Sequence, residues 1–109
     1  MADVLGTFEQ AVLLAIARLE DGAYGRAILN EVQTRLERDV AAGAVHATLV
    51  RLEEKGLLSS DLGSGTEVRA GRPRRYYRLN HSGVRALNDA RAAANALWSG
   101  FKWPLKGHS

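Results

Sequence analysis

Apolar residues recur at steps of three and four along four stretches of the chain, a spacing that predicts amphipathic helices. The predicted helices span residues 7–20, 24–38, 43–55 and 81–98. Between the third and the fourth, the pattern changes to alternation, which predicts strands at 57–62 and 75–79. We therefore expect a mainly α protein with one small β-hairpin.

Short polar residues and glycine mark the ends of these helices. Thr7 is expected to cap the first helix, because Gln10 follows it at the spacing of a capping box. Gly56 is expected to end the third helix. Asn80 is expected to cap the fourth, which fixes where the second strand ends.

The predicted core collects the apolar faces of the first three helices and of both strands. The expected inward residues of the helices are Phe8, Ala11, Val12, Ala15, Ile16, Leu19, Ile28, Val32, Leu36, Val45, Leu49 and Leu52. On the first strand, Leu58 and Leu62 are expected to point inward. On the second, Tyr77 and Leu79 share one side. A chain of 109 residues is long enough for one such core.

The outer face of the third helix is small where it begins and ends in one long donor, Arg51. A helix that approaches a base edge closely needs such a face, and a plain solvated face fits the spacing equally well. Arg51 could donate to a guanine edge, Thr48 could contact a thymine methyl or a phosphate, and His46 could contact a phosphate. The candidate DNA contacts on this helix are Gly43, Ala44, His46, Ala47, Thr48 and Arg51.

The segment between the two predicted strands is rich in glycine and arginine and is longer than a tight hairpin needs. Helix, strand, basic loop and strand is the order of a winged helix, in which one helix enters the major groove and the loop contacts the flanking backbone. The candidate contacts in this segment are Arg69, Arg72, Arg74 and Arg75. Strand alternation separates Arg74 from Arg75, so not all of them can face DNA. The alternative is a solvated basic loop.

The fourth helix carries a narrow seam at steps of three and four, as in a coiled coil. The seam residues are Leu87, Ala90, Ala94, Leu97 and Phe101. Because three helices already close the domain, we expect this helix to pack on a second copy of the chain. The predicted organisation is a winged helix-turn-helix domain at 1–79, a dimerisation helix at 80–100 and a tail at 101–109.

Composition excludes several classes of protein. Net charge is +3, which permits a nucleic-acid partner. There is no cysteine, and the three histidines, at 46, 81 and 108, lack metal-ligand spacing, so no metal or cofactor is expected. The only nucleophile cluster, at 59–61, has no plausible histidine partner, so we expect no enzyme. No signal peptide or membrane span is visible, and we expect a cytoplasmic protein without a membrane partner.

Four separated pieces, in order, resemble the PadR-like family of transcriptional regulators. They are Tyr24-Gly25, Gly43, the run Arg51-Leu52-Glu53-Glu54-Lys55-Gly56-Leu57, and Gly71-Arg72-Pro73-Arg74-Arg75-Tyr76-Tyr77. The single short helix after the wing is similar to the compact members. The resemblance implies a homodimer held by the C-terminal helix with help from the first. It also implies that helix three and the wing recognise a two-fold operator, usually to repress transcription.

The resemblance implies a response to small aromatic or cationic compounds, as in many compact members of this family. Trp98 and Trp103 are the candidate ligand contacts, because a tryptophan repeated across a two-fold axis could sandwich a flat molecule, and the alternative for Trp103 is an aromatic residue of the tail. The alternative for Trp98 is a hydrophobic anchor in the dimer seam. The chain departs from the family pattern at His46, where a tyrosine is usual, at Ala42, where a capping Ser or Thr is usual, and at Arg26 and Ala27. We expect a dimeric, sequence-specific repressor relieved by a small molecule or stress signal. The alternative is a winged-helix protein–protein interaction module without sequence-specific DNA binding.

Overall fold

A computed structural model describes residues 5–63, 68–69 and 72–108. The helices are α1 (Thr7–Leu19), α2 (Gly25–Leu36), α3 (Ala42–Glu54) and α4 (His81–Trp98), and a 3-10 turn, Glu20–Gly22, follows α1. The strands are β1 (Leu58–Leu62), β2 (Val68–Arg69), β3 (Arg72–Pro73) and β4 (Arg75–Leu79). The mainly α winged-helix architecture is confirmed. The first part of the predicted N-terminal arm, the loop residues Ser64, Gly65 and Gly71, and Ser109 lie outside the described residues.

The core lies where α1, α2 and α3 meet and is closed on one side by the sheet. Its fully buried side chains are Leu13, Ile16, Ile28, Leu49, Leu52, Leu58, Val12 and Val32. These are the residues that helical spacing predicts for the inner faces, together with Leu13, which widens the buried side of α1. Leu14 is exposed, so α1 turns one flank to solvent.

β1 and β4 form an antiparallel pair in which Leu58 lies opposite Leu79. The segment after α1 lies alongside β4 and forms an isolated antiparallel bridge with it, in which Tyr77 donates its N–H to the carbonyl of Ala23 at 2.8 Å. The prediction that Leu62 points inward is wrong, since this side chain is exposed. Alternation does keep Leu62 on the side of Leu58, but the hairpin there has already passed beyond the helical core.

The predicted loop between the two main strands contains a second antiparallel pair, β2 with β3. Val68 lies opposite Pro73, and Arg69 lies opposite Arg72. Strands of two residues are too short to produce a detectable alternation in sequence. The wing is therefore a longer ladder than the sequence predicts.

Two predicted caps are made differently. Gly6, not Thr7, is the N-cap of α1, and its N–H donates to Oε1 of Glu9 at 3.1 Å. Asn80 is the N-cap of α4, but its side chain makes no capping bond. Instead it accepts from Ser59 Oγ at 2.6 Å and donates to the carbonyl of Gly56 at 3.1 Å. Asn80 therefore ties the end of β4 to the turn after α3.

The first half of α4 packs on its own chain and the second half does not. Gly83 is buried against the backbone of Leu57, and Ala90 is buried against the core. From residue 91 onward every described residue is exposed. The 18 residues of α4 span about 27 Å, and the molecule measures 59 × 31 × 20 Å.

The predicted dimer seam needs correction at both of its ends. Ala90 is buried and Leu87 is partly buried within the same chain, so intramolecular packing uses the start of the seam. Phe101 lies beyond the end of α4, after Gly100, whose φ is +87°, so it does not continue the helical face. Ala94 and Leu97 stay exposed on that face, and Leu97 is 77% exposed.

Within residues 5–63, 68–69 and 72–108, no helix is long and apolar enough to cross a bilayer.

Candidate nucleic-acid interface

The outer face of α3 is made of small side chains near its start. Gly43, Ala44, His46 and Ala47 are exposed, as predicted, and Val50 adds to this face an exposed apolar side chain that the sequence did not predict. Ala41 is the N-cap of α3, and no side-chain hydrogen bond caps this helix. The first backbone N–H groups of α3 therefore lack a side-chain acceptor.

Thr48 does not belong to this outer face. It is only 3% exposed, because it lies three residues after Val45 and four before Leu52, on the buried stripe of the helix. Its Oγ1 accepts a long hydrogen bond, 3.4 Å, from Nη2 of Arg51. The prediction of an exposed Thr48 is wrong, and the side chain supports Arg51 from beneath.

Arg51 lies at the border between α3 and α1. Its Nε is 3.5 Å from Oε2 of Glu9, and Nζ of Lys55 is 3.3 Å from the same oxygen. The Glu9 side chain is 13% exposed, whereas that of Arg51 is 50% exposed. The two interpretations from sequence place Arg51 either in contact with DNA or on a plain solvated face. The observed partner lies 42 residues earlier in the chain.

The pKa of Glu9 reflects these partners. Burial alone would raise it, but the N–H of Gly6, the ammonium of Lys55 and the guanidinium of Arg51 together hold the pKa below its ordinary value of 4.5. Glu9 is therefore ionised near neutral pH and offsets part of the positive charge at the C-terminal end of α3.

Glu9→Gln is expected to lower the free energy of unfolding by about 1 kcal/mol at pH 7, the upper range for an exposed ion pair. Because the folded-state pKa is lowered, the carboxylate stabilises the protein fully above pH 4.5 and loses this effect as pH falls below that value. Urea denaturation of both proteins at pH 7 and pH 3.5 checks the prediction. The gap should narrow at pH 3.5, and an equal gap at both pH values would contradict it.

Arg75, at the root of the wing, is tied to α3. Its Nη1 donates to Ser60 Oγ at 3.0 Å, and this hydroxyl donates to Oε2 of Glu53 at 2.9 Å. Glu53 and His46 are seven residues apart on α3 and so share one side of the helix. The chain of contacts therefore places an exposed arginine beside the exposed face of α3.

Arg74 lies on the other side of the sheet from Arg75, as alternation predicts. Its guanidinium carbon is 4.2 Å from the centre of the Tyr24 ring, which itself meets Tyr76 edge to face at 5.9 Å. The Nε of Arg74 is buried without a hydrogen-bond partner. A Cβ at Gly63 would lie 2.9 Å from the Tyr76 ring, so glycine leaves room for this stack.

The remaining wing arginines, Arg69 and Arg72, lie opposite each other in the β2–β3 pair. Their side chains lie outside the described part of the structure. The backbone places both beyond the stack formed by Tyr24, Tyr76 and Arg74, further along the wing. The arginines of the wing are therefore distributed along a ladder rather than gathered at one point.

Sequence reasoning missed the roles of Glu9, Tyr24 and Ser60. Glu9 stands at capping-box spacing from Gly6, one residue before the predicted pair of Thr7 and Gln10. Tyr24 belongs to the Tyr24-Gly25 piece of the family pattern, but its stack with Arg74 joins residues 50 positions apart. Pattern within a single helix or strand contains no information about such contacts.

The candidate ligand contact, Trp98, is at the end of α4. It is half exposed and meets Trp103 edge to face, with ring centres 5.3 Å apart. Within the part of the chain that the structure describes, no three His, Asp or Glu side chains are close enough to hold a metal ion. The candidate interface offers hydrogen-bond donors on its arginine side chains and a helix face of small side chains.

The fold of the chain is similar to that of several solved structures. A PadR family transcriptional regulator from Eggerthella lenta DSM 2243 is 30% identical, with a TM-score of 0.64 over 82% of this chain and 75% of that chain. A PadR-like transcription factor from B. fragilis is 26% identical, with a TM-score of 0.67 over 84% of each chain. RosR of H. salinarum, at 24% identity, shares the fold, with a TM-score of 0.70 over 94% of this chain and 84% of that chain. No curated protein is significantly similar to the chain.

The sequence model of the transcriptional regulator PadR-like family matches residues 13–89. The matched stretch contains most of the core, α3, the whole wing and the first half of α4. Membership in this family implies a DNA-binding regulator. The chain therefore belongs to the PadR-like family of transcriptional regulators.

Proposed function

We propose that the protein is a homodimeric, sequence-specific transcriptional repressor that binds a two-fold operator through α3 and the wing. One observation carries the proposal: the Arg75–Ser60–Glu53 chain, with contacts of 3.0 Å and 2.9 Å, sets a wing arginine beside the small outer face of α3. Small side chains let a helix backbone approach base edges, and a neighbouring arginine supplies the phosphate contact that fixes orientation. An interaction module without DNA binding would not require this combination.

The proposed DNA contacts on α3 are Gly43, Ala44, His46, Ala47 and Arg51, with Val50 added. The wing contacts are proposed from among Arg69, Arg72, Arg74 and Arg75, and because Arg74 and Arg75 lie on opposite sides of the sheet, these two would contact different phosphates. Thr48 is removed from the set of direct contacts because it is buried. Arg74 is best suited to a phosphate, since the Tyr24 ring holds its guanidinium in place.

Selection of bound duplexes from a random-sequence pool tests sequence specificity. We expect enrichment of a motif with two inverted half-sites spaced by about one helical turn, because a two-fold dimer presents two copies of α3. A pool that shows no enrichment after repeated rounds at moderate salt would contradict the proposal. It would favour the protein–protein interaction module instead.

Arg74→Ala is expected to weaken binding to the selected duplex and to a scrambled duplex by a similar factor. If Arg74 neutralises one phosphate per subunit, the slope of log affinity against log salt should become less steep by about 0.9 per subunit. Arg78→Ala is the matched control, because Arg78 is an exposed strand arginine that pairs with Asp61 at 2.7 Å. Equal slopes in both variants would show that Arg74 is not a phosphate contact.

Relief of repression by a small molecule is the part of the proposal that Trp98 supports. Two exposed, adjacent indole rings near a dimer seam provide flat surfaces on which an aromatic compound can stack. Titration of the DNA-free protein with rhodamine 6G, a flat aromatic cation, should quench tryptophan fluorescence. Trp98→Phe should reduce the quenching more than Trp103→Phe does. Equal quenching in the two variants would argue that Trp98 is only a dimer anchor.

A further inference from the structure

We propose that Glu9 is a positioning residue that raises the discrimination between operator and other DNA by holding the two cations at the C-terminal end of α3. This inference rests on the proposed DNA-binding function. It assigns a role in recognition to a residue of α1, a helix outside the proposed DNA-contacting set. The partner chemistry is that of a DNA phosphate, with which the Glu9 carboxylate competes for the side chains of Arg51 and Lys55.

The carboxylate of Glu9 is itself fixed in place. Oε1 accepts the N–H of Gly6 at 3.1 Å, while Oε2 faces Nε of Arg51 at 3.5 Å and Nζ of Lys55 at 3.3 Å. The side chain is only 13% exposed. It is therefore an anchored acceptor, unlike an exposed acid that moves to meet passing cations.

Arg51 and Lys55 are one helical turn apart, so both lie on the side of α3 that faces α1. Without the carboxylate they would be two long, mobile cations beside the outer face of α3. Mobile cations bind phosphates of any sequence and add to non-specific affinity. With the Glu9 carboxylate in place, one of the two positive charges is offset. Arg51 is then held at its Nε by Glu9 and, weakly, at its Nη2 by Thr48. Arg51 then has fewer side-chain conformations in which to contact DNA.

The chain contains a matched control for this arrangement. Glu31, on α2, also faces two cations: Oε2 is 2.8 Å from Nε of Arg35 and 3.6 Å from Nη1 of Arg18. Glu31 joins α2 to α1, as Glu9 joins α1 to α3, and neither of these two ion pairs of Glu31 involves a residue of α3. Glu31→Gln therefore makes the same change in net charge as Glu9→Gln and also removes an interhelical ion pair.

The test compares wild type, Glu9→Gln and Glu31→Gln on the selected duplex and on a scrambled duplex, over a series of salt concentrations. Each protein is first shown to be folded at the working temperature, and concentrations are corrected to the active fraction. Glu9→Gln should bind the scrambled duplex about 5- to 10-fold more tightly at low salt, with a slope steeper by about 0.9 per subunit, as expected for one added phosphate contact. Its ratio of specific to non-specific affinity should fall, and that of Glu31→Gln should not.

Three outcomes would overturn the inference. A Glu9→Gln protein whose slopes and ratio match those of Glu31→Gln would show an effect of net charge alone. Equal weakening on both duplexes with unchanged slopes would show a purely structural role. An effect of Glu9→Gln that persists in an Arg51→Ala/Lys55→Ala background would show that Glu9 does not act through these cations. By contrast, a wild-type protein that fails to discriminate between the duplexes would contradict the proposed function itself.

Discussion

Leu97→Glu is expected to convert the protein to a monomer and to lower its affinity for operator DNA by at least about 100-fold. Leu97 is 77% exposed in the single chain, so the substitution removes almost no intramolecular packing. In a dimer joined along α4 it would bury two unpaired carboxylates, at a cost of several kcal/mol. Two half-sites bound by separate monomers lose the effective concentration that linkage provides, a factor of about 10²–10⁴.

Asn88→Glu is the control for this prediction. Asn88 lies nine residues before Leu97 on the same helix, half a turn away at 100° per residue, and it is also exposed. It introduces the same charge on the opposite face. Analytical ultracentrifugation should give a dimer for wild type and Asn88→Glu and a monomer for Leu97→Glu. A dimeric Leu97→Glu protein with unchanged DNA affinity would exclude this face of α4 as the dimer seam.

Gly83→Ala is expected to lower the free energy of unfolding by about 3 kcal/mol or more, the upper range for overpacking. A Cβ at this position would overlap the carbonyl oxygen of Leu57. The oxygen belongs to the backbone and is held in place, because Asn80 donates its N–H to that same carbonyl at 3.1 Å. To make room, α4 would have to move away from the turn after α3. The docking of α4 on the domain therefore depends on glycine at one position.

Gly43→Ala is the matched control, because it changes a glycine in the first turn of another helix where nothing lies within 4 Å of the new Cβ. Helix propensity predicts a gain of about 0.5–1 kcal/mol there. Thermal unfolding of the two variants should shift in opposite directions. A Gly83→Ala protein as stable as wild type would mean that α4 does not pack closely on Leu57 in solution.

Helix and strand positions could be predicted because each follows from the pattern within one segment. α4 runs from His81 to Trp98 and β4 from Arg75 to Leu79, as predicted. α3 ends at Glu54, and the predicted Gly56 follows in the left-handed conformation, with a φ of +78°. Leu62 was misplaced because alternation tells which side of a strand a residue takes and does not tell where the core ends. Thr48 was misplaced because its polarity outweighed its position between Val45 and Leu52 on the buried stripe.

The candidate site was less accessible to sequence reasoning, because its organising contacts join distant parts of the chain. Glu9 meets Arg51 across 42 residues, and Arg74 meets Tyr24 across 50. The sequence supplied the small face of α3 and the run of wing arginines, since both are local. It did not indicate which arginines are held by acids or rings, and that distinction decides which of them can reach a phosphate.

We propose above all that α3 and the wing of a dimer recognise a specific DNA sequence. A salt-series titration of the purified protein tests it most directly, using the selected duplex and a scrambled duplex of the same composition, with the mass of each complex recorded. We expect tight, salt-sensitive binding of two chains to the selected duplex and much weaker binding to the scrambled one. Equal, weak binding to both would contradict it, because only the basic surface would then be attracting DNA.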